Sequence, residues 1–178
     1  MSAADPELPA RLSDSLTQAE RQLGYLRETA AALAPMLPCS AESLRRLEEK
    51  RESRDLLVAF SARFGLLQEM LQGTLFRAIA ELEAERPASS RMLVELMDRL
   101  GIVPSAGDFL EDRKHRNVLA HLYVGDEGRR ADALNYIVGR VEALAAILER
   151  ARRHVEPRLG GTVGQGNVVP GAGSAACD

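Results

Sequence analysis

The chain concentrates its reactive side chains in one short run, Arg113-Lys114-His115-Arg116-Asn117-Val118-Leu119-Ala120-His121-Leu122-Tyr123. Two of its 3 histidines and one of its 3 tyrosines fall there, beside three cations and an amide. Imidazole changes charge near neutral pH and can give or take a proton. Guanidinium keeps its charge and grips phosphate oxygens through a planar fork. Together they meet the needs of metal-free phosphodiester cleavage: a base for the attacking hydroxyl, an acid for the leaving oxygen and a cation for the charge that builds on phosphorus. His121 is the candidate proton-transfer residue and Arg116 the candidate clamp. One histidine does not easily serve both sides of the phosphorus, and a two-fold dimer would bring in a second.

Helical geometry constrains how these groups meet. At about 100° per residue, Asn117 and His121 share a face, as do Arg116 and Tyr123, whereas Arg116 and His121 stand about 140° apart. Arg116 and His121 converge only if the arginine folds across the helix, the helix loosens before Gly125, or a partner subunit completes the site. Between Arg113 and Arg130, five cations (Arg113, Lys114, Arg116, Arg129, Arg130) stand against two acids (Asp126, Glu127). The run is therefore basic within a chain of net charge -3. Arg113, Lys114 and His115 are candidates for contact with an anionic strand, although a solvated helix face is the ordinary role of such residues. The overall acidity argues against a protein that coats nucleic acid or anionic membrane indiscriminately.

The elements that carry this run read as helices. Leu12, Leu16, Ala19, Leu23, Leu26, Ala30 and Leu33 repeat in alternating steps of four and three, the seam of helices packed side by side. Pro35 and Pro38 stop that helix, and Ser40 is placed to cap the next. A polar approach over 42–55 leads into an apolar stripe of Phe60, Phe64, Leu67, Leu71, Leu75, Ile79 and Leu82. A third helix opens at Ser89 or Ser90 and closes before Gly101. A fourth opens at Ser105 and carries the reactive run to about Tyr123, where Gly125 and Gly128 break it. A fifth shows the seam Leu134, Ile137, Val141, Leu144 and Leu148.

The expected fold is thus all-α, a bundle of about five helices over 11–156. Residues 1–10 read as a flexible N-terminus, and 157–178 as a disordered Gly-rich tail. No alternation of the strand type and no internal repeat is visible.

Composition sets the outer limits. A chain of 178 residues is long enough for one domain with a sizeable core. Aromatics are only 4% and Trp is absent, so that core must be aliphatic. Cys39 and Cys177 have neither metal-ligand spacing nor a disulfide framework, and the histidines lack His-x3-His spacing; no metal and no cofactor is expected. Residues 1–11 lack an apolar signal core and no apolar run approaches membrane-spanning length. The expectation is a cytoplasmic protein without a membrane partner.

The order Arg116-Asn117-x-x-x-His121-x-Tyr123 resembles the Arg-x4-6-His signature of the HEPN superfamily, and its trailing tyrosine is similar to that of the HepT-like toxins. Arg-x4-His alone would arise by accident roughly 0.35 times in a chain of this composition; requiring Asn and Tyr at their positions lowers the odds by about three orders of magnitude. The resemblance covers roughly residues 55–153. It implies a small helical endoribonuclease that works as a homodimer on an RNA substrate, with Arg116, His121 and Asn117 as the catalytic set. It also implies a cognate nucleotidyltransferase antitoxin that transfers AMP to Tyr123; phosphate added there would occupy the cations the substrate needs. The segment 11–54 reads as an extension beyond the compact HepT pattern. A second expectation uses the same bundle without catalysis, as the nucleotide-binding or regulatory partner subunit of a nucleotidyltransferase.

Overall fold

The structure, a computed structural model, describes residues 6–120 and 126–159. Among the described residues the regular elements are all helical. The first helix, α1 (Leu8–Leu33), starts earlier than the expected flexible N-terminus allows, with Pro9 in its first turn. There the missing N–H of proline costs nothing. Its seam residues Leu12, Leu16, Ala19, Leu23, Leu26 and Leu33 are all buried. A 3₁₀ turn at Ala34–Met36 ends it, and Ser40 opens α2 (Ala41–Glu49). The Ser40 hydroxyl accepts from the Ser43 amide at 3.2 Å while the Ser40 amide donates to the Ser43 hydroxyl at 2.7 Å, a reciprocal cap.

The expected second helix is three segments. Lys50 takes an extended conformation and separates α2 from α3 (Arg51–Met70). A π turn at Leu71–Leu75 then joins α3 to α4 (Phe76–Leu82), with helical backbone at both joints. The stripe explains the wide turn. From Leu67 to Ile79 its residues step by four throughout, which on a regular helix drifts about 40° per step. A wider turn takes up the drift, and Phe60, Phe64, Leu67, Leu71, Leu75 and Ile79 are all fully buried.

Next come α5 (Ser90–Arg99) and α6 (Ala106–Ala120). The Ser89 hydroxyl accepts from the Met92 amide, and the Ser105 hydroxyl from the Asp108 amide. Gly101, with φ of +71°, turns the chain out of α5, a conformation that favours glycine. The expected fifth helix is divided into α7 (Glu127–Gly139) and α8 (Val141–Leu159) by a turn at Arg140. The tail expected from Pro157 is corrected over its first three residues. Pro157 lies inside α8, whose last turn is held by buried Val155, by Leu159 against the core and by Arg158 on Glu83. Residues 160–178 lie outside the described residues.

One continuous core joins the N-terminal segment to the rest, α1 packing on α3 and α8. The helix that carries the candidate residues Arg113 to Asn117, α6, packs on α3, α5 and α7. Its inward face repeats as Phe109, Asp112, Arg116 and Leu119, two apolar and two charged residues at helical spacing. Phe109 meets Phe76 with ring centroids 5.6 Å apart. No helix among the described residues is long and apolar enough to cross a membrane.

Candidate functional site

Arg116 takes a core-facing position on α6, and α3 has no side chain opposite to obstruct it. The guanidinium lies over Gly65, where a Cβ would stand 3.0 Å from Arg116 Nε and 3.1 Å from Cζ. The arginine side chain is only 18% exposed; its Nη2 reaches Glu69 Oε1 at 3.4 Å. Its Nε is buried and makes no hydrogen bond among the described residues. A buried donor without an acceptor is costly.

This guanidinium borders a cavity of about 550 Å³ between α3 and α6, within the usual range for a small-molecule site. The α3 wall is apolar, with Val58 and Leu66 both substantially exposed. Leu119 and Ala120 continue the wall from α6. Arg130 and Glu48 close one side as a pair, Arg130 Nη1 donating to Glu48 Oε2 at 3.1 Å and Nη2 to Oε1. Arg130 is buried and paired with Glu48, which leaves Arg116 and the exposed Arg54 as the other cations of the lining.

The remaining residues of the run divide among different surroundings. Arg113 is exposed and its Nη1 stands 3.5 Å from Gln72 Oε1; it borders a smaller recess together with Arg116. Lys114 donates to Glu111 at 2.6 Å on the outer face. His115 is stacked on Tyr136, ring centroids 4.0 Å apart, with Glu111 at 3.7 Å. That contact fastens α6 to α7 and turns the imidazole away from both cavities. Asn117 is exposed and borders neither of them. The candidate catalytic His121 and the candidate modification site Tyr123 lie outside the described residues; Ala120, the last described residue before them, lines the cavity.

An ion pair behind this site ties α6 to the turn between α7 and α8. Asp112 is fully buried and accepts from Arg140 Nε at 2.8 Å. Burial pushes the Asp112 carboxyl up from its ordinary value, and the hydrogen bond and charge of Arg140 only partly offset it. Burial also raises the neighbouring Tyr136 phenol, with the Asp112 charge adding to the effect.

Several of these residues carried no mark in the sequence reading. Gly65 sits in the middle of an apolar helix, where a glycine is costly without a packing reason; that is the signal that would have found it. Gln68 adjoins the buried stripe and is only 3% exposed. Asp112 is the one acid on the inward face of α6. Among the described residues no group of three His, Cys, Asp or Glu side chains gathers as metal ligands do. Comparison with protein-family models, with curated proteins and with solved structures finds no match to this chain.

Proposed function

We propose that the chain is a metal-independent endoribonuclease of the HepT-like HEPN type, the toxin of a toxin–antitoxin pair, acting as a homodimer. The observation that carries the reading is the Arg116 guanidinium, turned inward on α6, seated on Gly65, with a buried Nε that has no acceptor among the described residues. It occupies the arginine position of the Arg-x4-His pattern, and the cavity it borders is also lined by Leu119 and Ala120, the two residues that precede His121 in the sequence. In the proposed reaction a ribose 2′-oxygen attacks phosphorus as its proton passes to a His121 imidazole. The bond from phosphorus to the 5′-oxygen breaks, and that oxygen takes a proton from the His121 of the second copy. Arg116 holds the charge on the non-bridging oxygens. The products are a 2′,3′-cyclic phosphate and a 5′-hydroxyl, and no water is consumed. Tyr123, four positions beyond Leu119 on the same run, is the proposed site of silencing by AMP transfer from the nucleotidyltransferase antitoxin.

Glu69 favours a second reading. A carboxylate 3.4 Å from the clamp competes with phosphate, as suits a partner subunit of a nucleotidyltransferase that performs no cleavage. Incubating single-stranded RNA with the purified protein in excess EDTA separates the two. Cleavage by the wild type that vanishes in His121→Ala supports the nuclease. An intact RNA, with a protein mass free of bound AMP, supports the partner subunit.

A further inference from the structure

Arg116 also borders a second recess, of about 180 Å³, lined by α3, the π turn, α4, the start of α5 and α6. Its polar lining is Gln68, Gln72, Arg77, Ser90, Arg113 and Arg116, with Glu69 as its one acid. Three cations against one carboxylate set it apart from the larger cavity, whose lining holds Arg54, Arg116 and Arg130 against Glu48, Asp55 and Glu69. The cations of the recess are also poorly engaged. Arg77 is exposed and has no ion pair or hydrogen bond among the described residues, and Arg113 reaches only Gln72 at 3.5 Å.

The most buried polar group of the lining is Gln68, at 3% exposure, with both amide atoms lacking a hydrogen-bond partner among the described residues. Buried amides are almost always satisfied, so an orphaned one beside three arginines marks a place where a ligand completes the hydrogen bonding. Gln72 is held in place by its Nε2 donating to the Ser90 carbonyl at 3.0 Å, and it sits in the π turn, an irregularity frequent at functional sites. The volume falls well below the roughly 300–1,000 Å³ of sites for whole small molecules. It suits a single phosphoryl group.

We propose that this recess is a phosphate-binding subsite, held by Arg77 and Arg113 with the Gln68 amide as a neutral donor. It accepts the phosphodiester next to the one at Arg116. The proposal rests on the RNA reading only for the identity of the ligand, a strand passing over α6; the phosphate chemistry stands on the recess itself. Two phosphates held on either side of Arg116 fix the register of a strand without reading its bases.

The test is binding by fluorescence anisotropy of a labelled single-stranded 2′-O-methyl oligonucleotide, which lacks the attacking hydroxyl, at several salt concentrations. A parallel arm follows inorganic phosphate by ³¹P line broadening. The variants are Arg77→Gln and Arg113→Gln, both at exposed positions. Arg153→Gln, an exposed arginine of α8 bordering neither cavity, is the control. Expected are an approximately tenfold loss of oligonucleotide affinity in each recess variant and a salt slope smaller by about 0.7, one single-strand phosphate contact, with the control unchanged. If the oligonucleotide does not bind but inorganic phosphate does, and both recess variants abolish it, the subsite stands and the RNA reading falls. Unchanged affinity in both recess variants, equal losses in the control, or no binding of either ligand would overturn the subsite.

Discussion

The guanidinium of Arg116 rests on the bare backbone of Gly65, so a residue on α6 owes its position to the absence of a side chain on α3. The contact divides the cost of a mutation in an unusual way. Gly65→Ala places a methyl 3.0 Å from Arg116 Nε, and the flexible arginine can lift away while the helices stay packed. Alanine also favours the α3 helix by about 0.5–1 kcal/mol. The expected outcome is a Tm within a few degrees of the wild type together with a loss of RNA cleavage of tenfold or more. Thermal unfolding and a cleavage time course on the same preparation check it. A fall in Tm that parallels the fall in activity would show that Gly65 serves packing alone.

The burial of Asp112 predicts a pH dependence of stability with a definite sign. Its folded carboxyl is pushed above the ordinary value by burial despite Arg140, so the folded state binds a proton more tightly than the unfolded chain does. Its contribution is then most favourable in acid and is lost as pH rises from the unfolded value through the raised one. Asp112→Asn removes that titration and keeps an acceptor for Arg140. Denaturant midpoints of the two proteins compared at about pH 4 and about pH 7 should diverge in favour of the variant toward neutrality. A constant difference, or divergence the other way, contradicts the assignment.

Glu83 works in the opposite direction at the far end of the bundle. It accepts from His154 Nε2 at 2.8 Å and from Arg158, tying the end of α4 to the last turns of α8. Burial pushes its carboxyl up, but these hydrogen bonds outweigh that effect and hold it below the ordinary carboxylate value. A lowered folded value means stability that is present above the unfolded pKa and is lost as pH falls through the folded one. Glu83→Gln should cost about 1–2 kcal/mol near neutral pH, a drop of roughly 2–8 °C in Tm for a chain of this size. The penalty should shrink in acid. A penalty that persists undiminished at about pH 3 would mean that shape and not charge holds the contact.

What was legible in the sequence was local. Ser40, Ser89, Ser105, Pro35 and Gly101 each act on their own turn, and each marks a helix boundary in the structure. The buried stripes of α1 and α3 were equally readable, because periodicity is a property of one segment. The turns at Lys50 and Arg140 were not, since neither residue is a breaker by type and each turn depends on how the flanking helices pack. Pro157 misled for the same reason: contacts from Val155, Arg158 and Leu159 to distant residues carry α8 past it.

In the reactive run the sequence brought out Arg113 and Arg116, which share a recess. It could not show that His115 is engaged by Tyr136 or that Arg116 is seated on Gly65. Both contacts join segments far apart in the chain. The inward face of α6 did carry a readable hint, since charged Asp112 and Arg116 alternate with Phe109 and Leu119 at helical spacing.

If Arg116 clamps a phosphate during metal-free cleavage, kcat/KM for single-stranded RNA in excess EDTA should separate wild type from Arg116→Gln. The expected result is a rate lower by two to three orders of magnitude in the variant, on the scale of losing one charge-stabilising group. The wild-type products should end in a 2′,3′-cyclic phosphate and a 5′-hydroxyl. Equal rates for the two proteins, or no cleavage by a wild type whose mass shows no added AMP, would contradict it.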